Sequence, residues 1–225
     1  MVIKNSFIIA VDGPAGSGKG TLAKRLGEAL DFPVLDTGLL YRAVGHMLTK
    51  NNESVHDENA ALHAADALHD ELSGDFLQDP ALRSSAASEA ASIVSAYGSV
   101  RQALFNLQRR FALTPPHNKK GAILDGRDIG TVICPDADIK IYLTATAEIR
   151  AERRAKELHG DSWKEHLPAL TEHIRQRDRR DSERAVAPLK PALDAIIMDT
   201  SLMNADEVYA LAMRHITTKL NGEKE

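Results

Sequence analysis

The chain has 225 residues, 43% hydrophobic and 27% charged, with a formal net charge of −4. Those proportions exclude a disordered or fibrous protein. The acidic balance argues against a nucleic-acid partner, which leaves a basic footprint on the domain that binds it. No window approaches the roughly 20 apolar residues that cross a bilayer, so no membrane partner is expected.

Aromatic residues are only 4% of the chain, so Ala, Leu, Ile and Val must build the core, as suits parallel strands buried between helices. The single cysteine, Cys134, rules out an intrachain disulfide and reads as a small buried hydrophobe. Residues 1–7 hold no long apolar run after a basic stretch, so no secretory signal is expected and the cytoplasm is the expected compartment.

In chain order, Phe7-Ile8-Ile9-Ala10-Val11 is a nearly continuous apolar run stopped by Asp12-Gly13-Pro14, the pattern of a buried strand. A helical stretch over 19–30 follows, then a short strand at 33–35 and a second helical stretch over 39–50. Residues 51–97 break the alternation: they are rich in Ala, His, Asp, Glu and Ser at helical spacing and predict a helical insertion, an acidic loop being the alternative for 74–79. Helix 100–111, strand 122–124, strand 139–143, helix 147–158, strand 195–198 and helix 205–220 complete the series. The charged stretch 156–184 predicts two helices joined near His159-Gly160-Asp161, and Asn204 with Glu207 three positions on predicts a capping box for the last helix. This alternation predicts an α/β fold: three layers around a five-stranded parallel sheet. Residues 1–50 and 98–225 form its core domain, 51–97 the helical insertion, and 153–180 a helical lid within the core.

Gly13-Pro14-Ala15-Gly16-Ser17-Gly18-Lys19-Gly20-Thr21 lies between the first strand and the first helix, the setting of a P-loop. Glycines let the backbone wrap an oxyanion with its N–H groups inward, the helix adds the positive end of its dipole, and Lys19 supplies a charge for the outer phosphates of ATP. The position after Lys19 is Gly20, not the usual hydroxyl, which comes one residue later at Thr21. Mg2+ is therefore expected to enter as Mg-ATP, held mainly by phosphates and water, with Thr21 and Asp36 able to reach it through water; orienting the acceptor phosphate is the other reading of Asp36. Asp125-Gly126-Arg127-Asp128 follows a buried strand directly, at the sheet edge where open α/β folds bind ligands. Arg127, joined by Arg42, suits a phosphate gripped by a planar guanidinium. Arg177, Asp181 and Arg184 fall at i, i+4 and i+7, one face of one helix.

Three segments carry a family resemblance: Asp36-Thr37-Gly38-Leu39-Leu40-Tyr41-Arg42, Asp125-Gly126-Arg127-Asp128-Ile129-Gly130-Thr131, and the run from Arg177-Asp178-Arg179-Arg180-Asp181 to Leu189. With the Gly-Lys-Gly-Thr ending of the loop they resemble bacterial cytidylate kinases of the nucleoside-monophosphate kinase group, in a variant with a short helical insertion. The resemblance implies ATP and CMP or dCMP as partners, an acceptor-binding role for the insertion, and a set of site residues. Lys19, Arg127 and Arg184 would act on the transferring and accepting phosphates, with Thr37, Tyr41 and Arg42 beside the acceptor. Arg177 and Asp181 would hold the ribose. Asp128 can accept from the cytosine amine and would face the lone pairs of uracil O4, while Arg101 and Ser92 can donate to the acceptor edge of the base. Arg153 and Arg154 are lid candidates, the segment 200–204 is a candidate for adenine contacts, and one copy of the chain suffices. A guanine-nucleotide switch is the rival reading, but His117-Asn118-Lys119-Lys120 is followed by Gly121 where a guanine reader needs a carboxylate. Within kinases the rival acceptors are UMP and shikimate.

Overall fold

Five segments pair into one parallel sheet: β1 (Phe7–Asp12), β2 (Val34–Asp36), β3 (Gly121–Gly126), β4 (Ile139–Thr144) and β5 (Ile196–Asp199), in the spatial order β2-β3-β1-β4-β5. The structure is a computed structural model and describes residues 6–71 and 79–222. The stretch 74–79, where an acidic loop is the alternative to helix, lies, apart from Asp79, outside the described residues.

β1 is central because both its faces are apolar. Ile9 and Val11 point to one side, against Leu22 and Leu26 of α1 (Lys19–Leu30). Ile8 and Ala10 point to the other, against Leu124, Ile129 and Cys134. Each fully buried Ile contributes about 1.5–3 kcal/mol relative to exposure. β3 extends beyond its apolar run at both ends because β1 pairs along its whole length, from Phe7 with Gly121 to Asp12 with Gly126. That pairing carries Asp125 and Gly126 to the sheet's carboxyl edge.

α2 (Thr37–Lys50) starts two residues earlier than expected. β2 runs into it without a loop, and Thr37 Oγ1 donates to Asp125 O at 2.8 Å, tying the helix start to β3. The described parts of the 51–97 stretch carry helices, as its spacing predicts: α3 (Glu58–Glu71), a 3-10 turn at Pro80–Arg83 and α4 (Ser85–Val94) before α5 (Gly98–Leu113). These helices bury a core of their own, with Leu40, Val44 and Leu48 of α2, Ala65 of α3, Val94 of α4 and Leu104 of α5. α6 (Ala147–His159) and α7 (Trp163–Glu183) meet at a single 3-10 turn, Gly160–Ser162, where Gly160 has φ +51. α8 (Ala205–Gly222) closes the β1 face with Val208, Ala212 and Ile216. Its capping box forms as expected: Glu207 N donates to Asn204 Oδ1 at 3.0 Å and Asn204 N to Glu207 Oε2 at 2.8 Å. Among the described residues, no helix is long and apolar enough to cross a membrane.

Candidate active site

At the carboxyl edge, β1 is flanked by β3 and β4, and the strand order reverses there: the chain runs from β1 to β2 on one flank but from β3 to β4 and β5 on the other. Open α/β sheets bind ligands at such a switch point. A cleft of about 800 Å³ opens here, with Lys19 on one wall and Arg42, Arg127, Arg177 and Arg184 on the other.

The first wall is backbone. Gly13 has φ +147, and a Cβ there would stand 2.1 Å from Leu143 O, so only glycine lets the loop leave β1 this close to β4. Gly18 caps α1 at φ +95 with no side chain taking up the first N–H groups, which leaves them for an anion. Lys19 is buried, and its Nζ donates to Pro14 O at 2.9 Å. Burial and the nearby Arg127 guanidinium push its pKa down, while Asp125 and Asp36 pull it back up. Asp125 is pushed up by burial and by Asp36.

The second wall is built from side chains that pair with one another. Arg127 Nε donates to Asp181 Oδ2 at 3.1 Å, and Arg177 Nη1 donates to Ser88 Oγ at 2.5 Å. Arg101 and Asp128 form a buried hydrogen-bonded ion pair, with the Arg101 guanidinium 5.6 Å from the centre of the Tyr41 ring. Arg184 Nη2 lies 3.7 Å from Asp128 Oδ1 and has no hydrogen-bond partner although buried. Burial would raise the Asp181 carboxyl, but Arg127, Arg177 and Arg184 outweigh it and hold it below its ordinary value. Arg177 falls to about 10, chiefly by burial and then by Arg127. A buried pair of this kind adds little net stability, because desolvation offsets most of the attraction. Its arginines can therefore exchange a carboxylate for a phosphate at small cost.

Thr37, Tyr41, Arg42, Arg101, Arg127, Asp128, Arg177, Asp181 and Arg184, drawn from four separate stretches of sequence, thus share one cleft with Gly16, Gly18, Lys19, Gly20, Thr21 and Asp36. Of the expected acceptor-side residues Ser92 is the exception, and on the donor side Gly13, Pro14 and Ser17 do not line this cleft. α4 and its C-cap present Ser88, Ala91 and Ser95 to the cleft, while Ser92 is buried behind them with its Oγ unpartnered. The two lid candidates separate. Arg154 lines the main cleft and pairs with Glu157 at 2.8 Å. Arg153 lines a second cavity of about 220 Å³ with Ser17, Thr21 and Met203, and donates to Thr200 Oγ1 at 3.0 Å.

Arg150, which no sequence motif singles out, ties these parts together. Its Nη1 donates to Ala15 O of the loop at 3.1 Å, its Nε to Ala145 O at 2.9 Å, and its fork grips Asp178 of α7 at 3.0 and 2.5 Å. Arg150 precedes Arg153 and Arg154 by three and four positions, the spacing of one helix face, and that is the one signal its sequence context offers. On α7, His173 and Arg180 both reach Glu89 of α4, at 2.8 Å and at 2.5 and 3.0 Å.

Comparison with known proteins agrees with this geometry. The family profile described as cytidylate kinase matches residues 9–218. A curated cytidylate kinase of Rhodospirillum rubrum is 50% identical over 207 residues, 92% of this chain and 95% of its own length. Another, from Methylocella silvestris, is 52% identical over 207 residues, 92% of each chain. Among solved structures, an uncharacterized protein from Eubacterium ventriosum covers 94% of this chain and 99% of its own at a TM-score of 0.53 and 17% identity, a likeness of fold. With a phosphate-wrapping loop facing an arginine-lined hollow, and with half its residues shared with these relatives over nearly its whole length, the chain belongs to the cytidylate kinase family.

Proposed function

We propose that the chain transfers the γ-phosphoryl group of ATP to CMP or dCMP, giving ADP and CDP or dCDP, with the residues of the cleft in the roles that follow. The observation that carries this reading is the meeting, in one cavity, of a loop lysine with four arginines on the facing wall. Two polyanions must approach in line, so the work of the site is positioning and neutralisation. The loop N–H groups from Gly13 to Thr21 and Lys19 hold the donor phosphates. Arg127, Arg42 and Arg184 hold the acceptor phosphate, releasing Asp181 and Asp128 as they turn to it. A phosphate monoester has a second pKa of about 6, so the attacking oxygen is already ionised at neutral pH and no general base is needed.

The released carboxylates then meet the rest of the acceptor. Asp181 and Arg177 face the ribose, and Asp128 accepts from the cytosine amine while Arg101 donates to the base's acceptor edge; Ser92, buried behind Ala91, reaches the base only if α4 shifts. Thr37 and Tyr41 shape the floor. The residues on the donor side fit a hard divalent cation, since Asp36 and Asp125 offer oxygen ligands to the cleft that also holds Lys19. Asp36, Asp125 and Thr21 would hold Mg2+ through its waters, and the ion would neutralise charge on the transferring group. We further assign residues 153–180 as the lid over ATP, with Arg154 facing the phosphates, and 51–97 as the acceptor-side insertion on the core of 1–50 and 98–225. The second cavity, beside Thr200 and Met203, is the proposed adenine pocket. Every role is filled from one chain, which favours a monomer.

Initial rates with ATP and Mg2+ over CMP, dCMP, UMP, other nucleoside monophosphates and shikimate test the reading. CMP and dCMP should lead. No CDP from CMP, together with a Lys19→Ala variant indistinguishable from the parent, would sink it.

A further inference from the structure

Asp12 ends β1 and stands immediately before the loop, yet its carboxylate points to the acceptor side. It is buried, and both oxygens are engaged: Oδ1 accepts from Ile129 N at 2.8 Å and Oδ2 from Gly130 N at 2.7 Å. Those are the two residues that follow Asp128. They open a π-helical turn, Ile129–Ile133, which has no side-chain cap of its own and in which Val132 N and Ile133 N return to Asp128 O at 2.8 and 3.2 Å. The first N–H groups of any helical turn lack intrahelical partners. Asp12 supplies the missing cap from 117 and 118 positions away. Gly130 leaves room for it, since a Cβ there would lie 3.4 Å from Asp12 Oδ2 and 3.1 Å from Lys140 Cδ. Burial pushes the Asp12 carboxyl up to about 6 while the two N–H groups hold it down, so at neutral pH it is a carboxylate able to accept both bonds.

We infer that Asp12 is a positioning residue for base selection: by capping the turn that begins after Asp128, it fixes the backbone from which Asp128 reads the acceptor base. Arg101 holds the Asp128 carboxylate from the side, and Asp12 holds the peptide behind it. The inference rests on the assignment of Asp128 to cytosine recognition.

The test compares kcat/KM for CMP and UMP in the parent, Asp12→Asn, Asp12→Ala and Asp128→Asn. Asp12→Asn keeps one acceptor and turns an NH2 toward an N–H group; Asp12→Ala keeps none. We expect the CMP/UMP ratio to fall about tenfold in Asp12→Asn and further in Asp12→Ala, with KM for CMP raised and KM for ATP within about twofold of the parent. A merely structural residue would lower thermal stability and leave the ratio alone. If Asp128→Asn changes the ratio and Asp12→Asn does not, the inference about Asp12 falls by itself. If neither changes it, the base-reading assignment falls with it. Should both Asp12 variants fail to fold, amide exchange in the parent decides: Ile129 and Gly130 should exchange slowly and slow further with CMP but not with an ATP analogue. Exchange at those amides that ignores CMP overturns the proposal.

Discussion

The two walls of the cleft are built by different physics. The loop wall is backbone, and its conformation is written in nine consecutive residues, from Gly13 to Thr21. The acceptor wall is side chains whose partners lie 27 positions apart for Arg101 and Asp128, 54 for Arg127 and Asp181 and 89 for Arg177 and Ser88. Backbone donors are preorganised once the glycines set the turn, and no side chain caps the helix start in competition with a ligand. The arginines are preorganised by carboxylates, so a ligand must displace those carboxylates and give them something else to bind. A phosphate ester carrying a ribose and an amino base does both at once.

The largest effect should come from breaking the loop wall. Lys19→Ala removes the lysine of the loop and should lower kcat/KM by about 10³-fold, most of it in kcat. Because Lys19 is buried and contributes a desolvated ammonium, the variant should fold at least as stably as the parent, which a thermal melt checks.

The acceptor wall should break differently. Arg127→Lys keeps the charge but loses the planar fork that spans Asp181 and a phosphate, and should raise KM for CMP by about 10²-fold with KM for ATP near the parent value. An equal rise in both KM values would show that the walls do not act separately. A smaller effect follows at the base. Asp128→Asn presents an amide that can donate to uracil O4, so the CMP/UMP ratio should fall about tenfold or more. An unchanged ratio removes Asp128 from base reading.

The same contrast decides how much of the molecule is legible in its sequence. The strand-loop-helix context of Gly13 to Thr21 is contiguous, and so is the Asn204–Glu207 box, so pattern reaches both. Strand order, α2's start at Thr37 and the full length of β3 depend on which strands become neighbours, which no local apolar count contains. Arg150 shows the limit most plainly. Its spacing on α6 is visible in the sequence, but its partners Ala15 and Asp178 lie 135 and 28 positions away and are chosen by packing. Asp12 reads in sequence as the polar stop of a strand, and only the fold brings Ile129 and Gly130 beneath it.

The weakest link between the regions should be the bridge from α4 to α7, and it yields the smallest effect. Arg180 and His173 hold the Glu89 carboxyl near 2, below its ordinary 4.5. A folded-state pKa below the unfolded one means that the stabilisation is complete above about 4.5 and is lost as pH falls toward 2. The side chains are more than a third exposed, so solvent screening limits the contribution to roughly 1 kcal/mol or less. Glu89→Gln should therefore melt slightly below the parent at pH 7, and the gap should close as both are titrated from pH 4.5 downward. A gap that widens in acid would mean that Glu89 is not paired in the folded chain. The informative number is KM for CMP at pH 7 in the same variant. The bridge joins the helix carrying Ser88 to the helix carrying Arg177 and Asp181. A rise in KM out of proportion to the lost stability would therefore show that the carboxylate acts on closure around the acceptor rather than on the fold.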